Sequence, residues 1–141
     1  MVHYPIVLIE DDKDDCEFII EALSDAGASN EVRCFNSPVP ALEYLRTTLE
    51  VPFIIICDIN MPQMNGLAFK KLLNADDKLN AKRIPFVFLS TSAQSNLIDQ
   101  AFHLCIQGYF QKPVAAKEYL AIAKSIIDYW QNSKLPQAMN N

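Results

Sequence analysis

P-F-I-I-I-C occupies residues 52–57 and ends against Asp58, so an almost wholly apolar run stops abruptly at an acid. A run this short and this continuous in Ile and Phe reads as a strand buried on both faces. An acid at its end is costly to bury without a partner, so Asp58 marks a place where charge must gather. Working outward, short apolar runs recur at 5–9 (P-I-V-L-I), 32–35 (V-R-C-F), 85–89 (P-F-V-F-L) and 109–110 (Y-F). Between them lie longer segments with helical spacing, at 17–26, 39–49, 67–74, 96–104 and 115–130. A β-α unit repeated five times predicts a doubly wound α/β fold, a five-stranded parallel sheet with five helices covering its two faces. The first, third and fourth runs are continuous enough to be central strands. The second alternates and the fifth is short, as edge strands are.

The 141 residues fit one domain, predicted over 1–132, with 133–141 as a flexible tail. A net charge of -5 argues against direct contact with nucleic acid, whose phosphates demand a basic surface. No run of about 18 apolar residues is available to cross a membrane. Cys16, Cys34, Cys57 and Cys105 form no C-x-x-C pair and have no His at ligand spacing. With no secretory signal, they read as reduced, mostly buried thiols of a cytoplasmic protein.

In an open parallel sheet, ligands bind beyond the carboxyl ends of the strands. Those ends carry Glu10, Asp11 and Asp12 after the first strand, Asp58 and Asn60 after the third, Ser90 and Thr91 after the fourth, and Lys112–Pro113 after the fifth. Carboxylates this close raise each other's pKa unless a cation neutralises them. A hard divalent cation with oxygen ligands suits such a site, Mg²⁺ above all, because it keeps waters and can share a ligand with a phosphoryl oxygen. An aspartate can be a nucleophile toward phosphorus, and Lys112 and Ser90 are suited to stabilise the transferring group. Asp12, nearest the helix start, reads better as an N-cap. Three rival chemistries fit poorly. A haloacid-dehalogenase phosphatase needs a second Asp where this chain has Asn60. A flavodoxin-type phosphate loop would be repelled by Glu10 and Asp11. Residues 10–15 lack the spacing of an EF-hand loop.

The motifs I-V-L-I-E-D-D at 6–12, I-I-I-C-D-I-N-M-P-Q-M-N-G at 54–66, P-F-V-F-L-S-T-S at 85–92 and G-Y-F-Q-K-P at 108–113, in this order, resemble the receiver domain of two-component response regulators. The E-D-D-x-D-D opening and D-Y-W ending are similar to the small single-domain receivers associated with phytochromes and similar histidine kinases. The resemblance implies a flavodoxin-like sheet of order 2-1-3-4-5. It also implies Mg²⁺-dependent phosphorylation of Asp58 by a histidine kinase or phosphotransfer protein, rather than a turnover enzyme. On the same basis Asp11, Asp58 and the Asn60 backbone carbonyl hold the cation, with Glu10 acting through water. Ser90 and the Thr91 N–H meet the phosphoryl oxygens, Lys112 pairs with them, and Ser90 and Tyr109 form the switch. Met61, Pro62 and Gly66 shape the loop, Gly66 being expected at positive φ, and the Lys112–Pro113 bond is expected to be cis. Where the family carries a Gly-Ala pair, this chain has Cys105 and Ile106. A degenerate receiver, acting as a constitutive interaction module, is the competing reading, and the retained Glu10, Asp11, Asp58, Ser90 and Lys112 count against it.

The signal is expected to leave through the face of the fourth long helix, the fifth strand and the last helix. The last helix spreads Tyr119, Leu120, Ile122, Ala123, Ile126, Ile127, Tyr129 and Trp130 over about half its circumference. That pattern leaves open a homodimer seam, a docking face for another protein, or a helix sunk into the core.

Overall fold

In the computed structural model, which describes residues 4–134, five parallel strands form one sheet in the order β2-β1-β3-β4-β5. They are β1 (Ile6–Ile9), β2 (Val32–Phe35), β3 (Ile54–Cys57), β4 (Phe86–Ser90) and β5 (Gly108–Gln111). Every residue of β1, β3 and β4 is buried, whereas β2 and β5 are half-buried or exposed. The distinction between central and edge strands holds. Alternate residues face opposite layers. Val7, Ile55 and Phe86 point to one layer with Leu45, Phe69 and Leu73. Ile6, Ile54 and Val87 point to the other with Ile19, Leu23 and Ile126.

The helices are α1 (Lys13–Asp25), α2 (Pro38–Thr47), α3 (Gly66–Ala75), α4 (Asp77–Ala81), α5 (Ser95–Phe102) and α6 (Tyr119–Asn132), with a 3-10 turn at Ala116–Glu118. Their starts follow local chemistry. The Asp12 carboxylate accepts the Asp15 N–H at 2.9 Å and begins α1 earlier than the apolar spacing implies. Ser37 caps α2, with Pro38 in the first turn, where a missing N–H costs nothing. The short α4 is one helix more than expected. Asp76 ends α3 in extended backbone and then caps α4, its Oδ1 accepting the Lys78 and Leu79 N–H groups at 3.1 Å each. One acid at a junction thus divides what reads in sequence as a single helical segment and its loop.

The expectation of mostly buried cysteines needs correction, since Cys34 is exposed and Cys16 only half-buried. The sulfurs of Cys16 in α1 and Cys34 in β2 face each other, but their Cα atoms stand 7.4 Å apart, wider than a disulfide ordinarily spans. Cys57 is buried, but Cys105 is an exposed thiol. α6 is largely sunk into the core: Tyr119, Ala123, Ile126 and Ile127 are buried and Ile122 is half-buried, while Tyr129 stands out at 64% exposure. Residues 135–141 of the expected tail lie outside the described residues.

The segment leading into β5 explains where the family's small pair falls. Cys105 adopts φ 62, in the left-handed region, and Ile106 is buried in the core. That backbone costs a residue with a Cβ about 1 kcal/mol or more, and glycine nothing comparable. Cys105→Gly should therefore raise stability by about 0.5–1 kcal/mol after the entropy of the unfolded glycine is counted. Urea denaturation of the two proteins at equal slope checks this, and a less stable variant would show that the Cys105 side chain contributes more than the strain removes.

Candidate functional site

Parallel pairing brings the four strand ends into line. Ile9 pairs with Cys57, which sets Glu10 beside Asp58; Ser90 pairs with Gln111, which carries Lys112 level with Thr91. The backbone continues the ladder past the strands: Asp58 N–H donates to Ile9 carbonyl at 3.0 Å, and Lys112 N–H to Ser90 carbonyl at 2.7 Å. Glu10, Asp58 and Ser90 are buried at 3%, 6% and 0% exposure. Carboxylate oxygens of Glu10, Asp11 and Asp58 lie within 4.8 Å of one another, Asp11 being exposed to solvent.

Lys112 reaches into this group. Its Nζ lies 2.6 Å from Glu10 Oε1, 3.0 Å from Asp15 Oδ2 and 3.4 Å from Asp58 Oδ2. No cis peptide bond occurs among the described residues, so the Lys112–Pro113 bond is trans and the expected cis geometry is corrected. The β4–β5 ladder alone carries Lys112 to the edge, and its four-carbon stem covers the remaining distance. Asp15 is the member that the sequence did not single out. With Asp12 as the N-cap it falls in the first turn of α1, facing back over the strand ends, and that capping register is the signal for it. Tyr119 from α6 donates its hydroxyl to Asp15 Oδ1 at 3.5 Å.

Charge in this corner is out of balance. Burial pushes the Glu10 carboxyl up to about 7, against the hydrogen bond from Lys112, and nearby Asp58 adds to the rise. Burial likewise raises Asp58, with Lys112 and the Ile59 N–H (2.8 Å to Oδ1) pulling the other way. For Lys112 burial works to lower the pKa, but the hydrogen bonds to Glu10 and Asp15 outweigh it and raise it. One ammonium shared by Glu10, Asp15 and Asp58, with Asp11 adjacent, leaves an excess of negative charge. An all-oxygen donor set with that excess fits a hard divalent cation.

The remaining candidates surround the acids without bonding to them. Ser90 Oγ accepts the Ser92 N–H at 3.3 Å, and Tyr109, half-buried, donates its hydroxyl to the Ser92 carbonyl at 2.7 Å. Thr91 is exposed, its carbonyl accepting from Gln111 at 3.3 Å, and Asn60 is exposed two residues beyond Asp58. Met61 is buried and Pro62 exposed. Gly66 is needed for a different reason from the expected one. Its φ is not positive; Gln63 holds the left-handed position of the loop at φ 70. A Cβ on Gly66 would collide with the Asp58 carbonyl oxygen and come within 2.9 Å of the Phe88 ring. Glycine there lets α3 start directly against the strand end bearing Asp58.

The model of the response regulator receiver domain matches residues 6–124. The chain belongs to this family. It is 26% identical to the response regulator Rcp1 of Synechocystis sp., over 94% of this chain and 93% of Rcp1. The phosphorylated cyanobacterial phytochrome response regulator RcpA has the same fold at a TM-score of 0.86 and 31% identity, covering 96% of this chain and 100% of RcpA. The Mn²⁺-bound form of Rcp1 follows at 0.82 and 24% identity, covering 94% and 99%. The receiver fold, with its sheet order 2-1-3-4-5, is thus shared over almost the whole length of these relatives, and the extra helix α4 is a small local difference.

Removing Lys112 tests the electrostatics of this receiver site. Lys112→Met leaves Glu10 and Asp58 buried without a cation and should cost about 3–5 kcal/mol at pH 8 in a chelator. A carboxylate raised in the folded state binds more protons there than when unfolded, so stability increases as pH falls from about 7 toward 4.5. The cost of the substitution should therefore shrink by pH 5. Urea unfolding at the two pH values measures it, and an equal loss at both would mean that packing, not charge, is what Lys112 supplies.

Proposed function

We propose that this receiver accepts a phosphoryl group on Asp58 from a phosphohistidine of a histidine kinase or phosphotransfer protein, acting in the cytoplasm. The observation that carries the reading is the buried Asp58 carboxylate with Lys112 Nζ at 3.4 Å and the Glu10 and Asp11 oxygens within 4.8 Å. In the reaction an Asp58 oxygen attacks phosphorus, a P–O bond forms, and the donor's P–N bond breaks. Lys112 turns from Glu10 and Asp15 to pair with a phosphoryl oxygen, while Ser90 Oγ–H and the Thr91 N–H donate to others. Asp11, Asp58 and the Asn60 carbonyl are the proposed ligands of a divalent cation, Mg²⁺ by preference, with Glu10 acting through water. When bound, such a cation supplies positive charge to the transferring oxygens. The Mn²⁺-bound form of the relative Rcp1 supports a divalent cation in this role.

The signal is proposed to leave through α5, β5 and α6, with Tyr109 as the moving part. Self-association through α6 is the specific form proposed. Tyr129, which is exposed and packs edge-on against Trp130 at 4.7 Å, is the residue of that helix placed to take part. Ile122 faces half inward and is less suited to probe it.

With Mg²⁺ and acetyl phosphate the protein should gain one acid-stable, base-labile phosphate, and Asp58→Asn should abolish it, because an amide is no comparable nucleophile. Intact-mass spectrometry reads this directly; full labelling of the variant elsewhere would overturn the assignment. Asp11→Ala should weaken Mg²⁺ several-fold or more, and Asp12→Ala should leave it nearly unchanged, since Asp12 is committed to the α1 cap. Thermal shift against Mg²⁺ concentration separates the two, and equal effects would place the cation differently. Sedimentation of Tyr129→Glu beside the parent, with and without beryllofluoride, tests self-association, and a monomer throughout would leave a different protein as the output.

A further inference from the structure

At the amino-terminal edge of the strands, away from the acids, a cavity of about 290 Å³ opens between α3, α4 and the starts of β3 and β4. Its polar lining is Lys70, Asn74, Asn80, Arg83, Cys105 and Gln107, and no carboxylate lines it. Leu45, Ile55, Leu79 and Phe86 supply apolar wall. Lys70 is 9% exposed, which is rare for a lysine without an acidic partner. Its Nζ donates to Asn74 Oδ1 at 2.8 Å and stands 5.3 Å from the centre of the Phe86 ring. The Asn74 amide in turn donates to the Leu104 carbonyl at 3.0 Å, which fixes its oxygen toward Lys70.

An ammonium carries three donors, and Asn74 takes one. The Phe86 ring attracts the charge but accepts no strong hydrogen bond. Burial accordingly pulls Lys70 below its ordinary pKa. The contrast with Lys112 is informative: its side chain is as deeply buried, but three carboxylates face it. Arg83 adds a second positive charge on the exposed rim, in left-handed backbone at φ 51. Positive charge inside, apolar walls and amide donors together are the complement of an anionic head on an apolar body.

We propose that this cavity is a binding site for a small organic carboxylate, its head against Lys70 and Arg83 and its body against Leu45, Leu79 and Phe86. The volume is roughly that of ten water molecules, which suits a short-chain or single-ring acid. Inorganic phosphate would meet Lys70 and Arg83 but has no apolar body to cover Leu45, Leu79 and Phe86, so an organic carboxylate is the better match. This site is separate from the Asp58 cleft and does not depend on the reading of that cleft.

The test is an NMR titration of the ¹⁵N-labelled full chain with benzoate, beside benzyl alcohol and inorganic phosphate. Benzoate should give saturable shifts at the amides of Lys70, Asn74, Cys105 and Gln107, and benzyl alcohol should bind about ten-fold more weakly or worse, since a charge-assisted contact is lost. Lys70→Met should abolish the benzoate shifts while remaining folded, because it removes a buried charge that has no ionic partner. Arg83→Gly, compatible with the positive φ, should weaken binding several-fold. The proposal is overturned if benzoate gives no saturable shift at these residues, if phosphate or benzyl alcohol binds as well, if the shifts centre on Asp58, or if Lys70→Met binds benzoate like the parent.

Discussion

Lys112 brings one ammonium group to a corner where Glu10, Asp15 and Asp58 converge, and the arrangement of the site follows from that shortage of positive charge. Two unit charges 4 Å apart near a protein surface interact by about 4 kcal/mol. Repulsion among buried carboxylates is therefore comparable with the stability of a whole small domain. Lys112 relieves part of it by bonding Glu10 most closely, at 2.6 Å, and Asp58 least, at 3.4 Å. Of the three carboxylates that Lys112 faces, Asp58 is consequently the one it neutralises least. In the proposed reaction that is what a phosphoryl acceptor requires: an oxygen whose electron density is not already committed to a cation within the fold.

The fold was legible because its signals are periodic and buried. Three continuous apolar runs cannot satisfy their backbone or hide both faces except in the middle of a parallel sheet. The residues that follow those runs are then carried to one edge by the ladder. Glu10, Asp58 and Lys112 were readable for that reason alone, before any side-chain geometry. The helix cap at Asp12 was readable from its position, and the structure gives it the 2.9 Å bond to the Asp15 N–H that the role demands.

What escaped the sequence depends on distances between elements, which no periodicity encodes. Asp15 acquires its bond to Lys112 only when the first turn of α1 is set over the strand ends. Gly66 is dictated by how closely α3 approaches the Asp58 carbonyl, not by its own backbone angle. The division of α3 from α4 turns on Asp76 choosing to cap rather than to continue a helix, a competition between two local hydrogen-bonding schemes of similar strength. The cavity around Lys70 is invisible in sequence because a lysine among helical residues ordinarily stands in solvent. Here α4 and the segment before β5 close over it.

Ser90 and Tyr109 do not touch in any hydrogen bond, but both hold Ser92. The Ser92 N–H donates to Ser90 Oγ at 3.3 Å, and the Ser92 carbonyl accepts from the Tyr109 hydroxyl at 2.7 Å. Under the proposed phosphorylation, the Ser90 side chain would turn so that its O–H donates to a phosphoryl oxygen, a charge-assisted bond roughly twice as strong as a neutral one, and the turn would carry Oγ away from the Ser92 N–H. Ser92 then loses its anchor on the Ser90 side, and the Tyr109 hydroxyl is left attached to a residue free to move. A neutral hydrogen bond contributes only about 1 kcal/mol net, so the Tyr109 ring is held mainly by its packing on the core that contains Phe88 and Ile106. The bulk of Ile106, in place of a small residue, then sets how far the ring can travel once Ser92 lets go. Coupling between phosphate and surface would pass through this single serine, a physical link shorter than a path through the sheet.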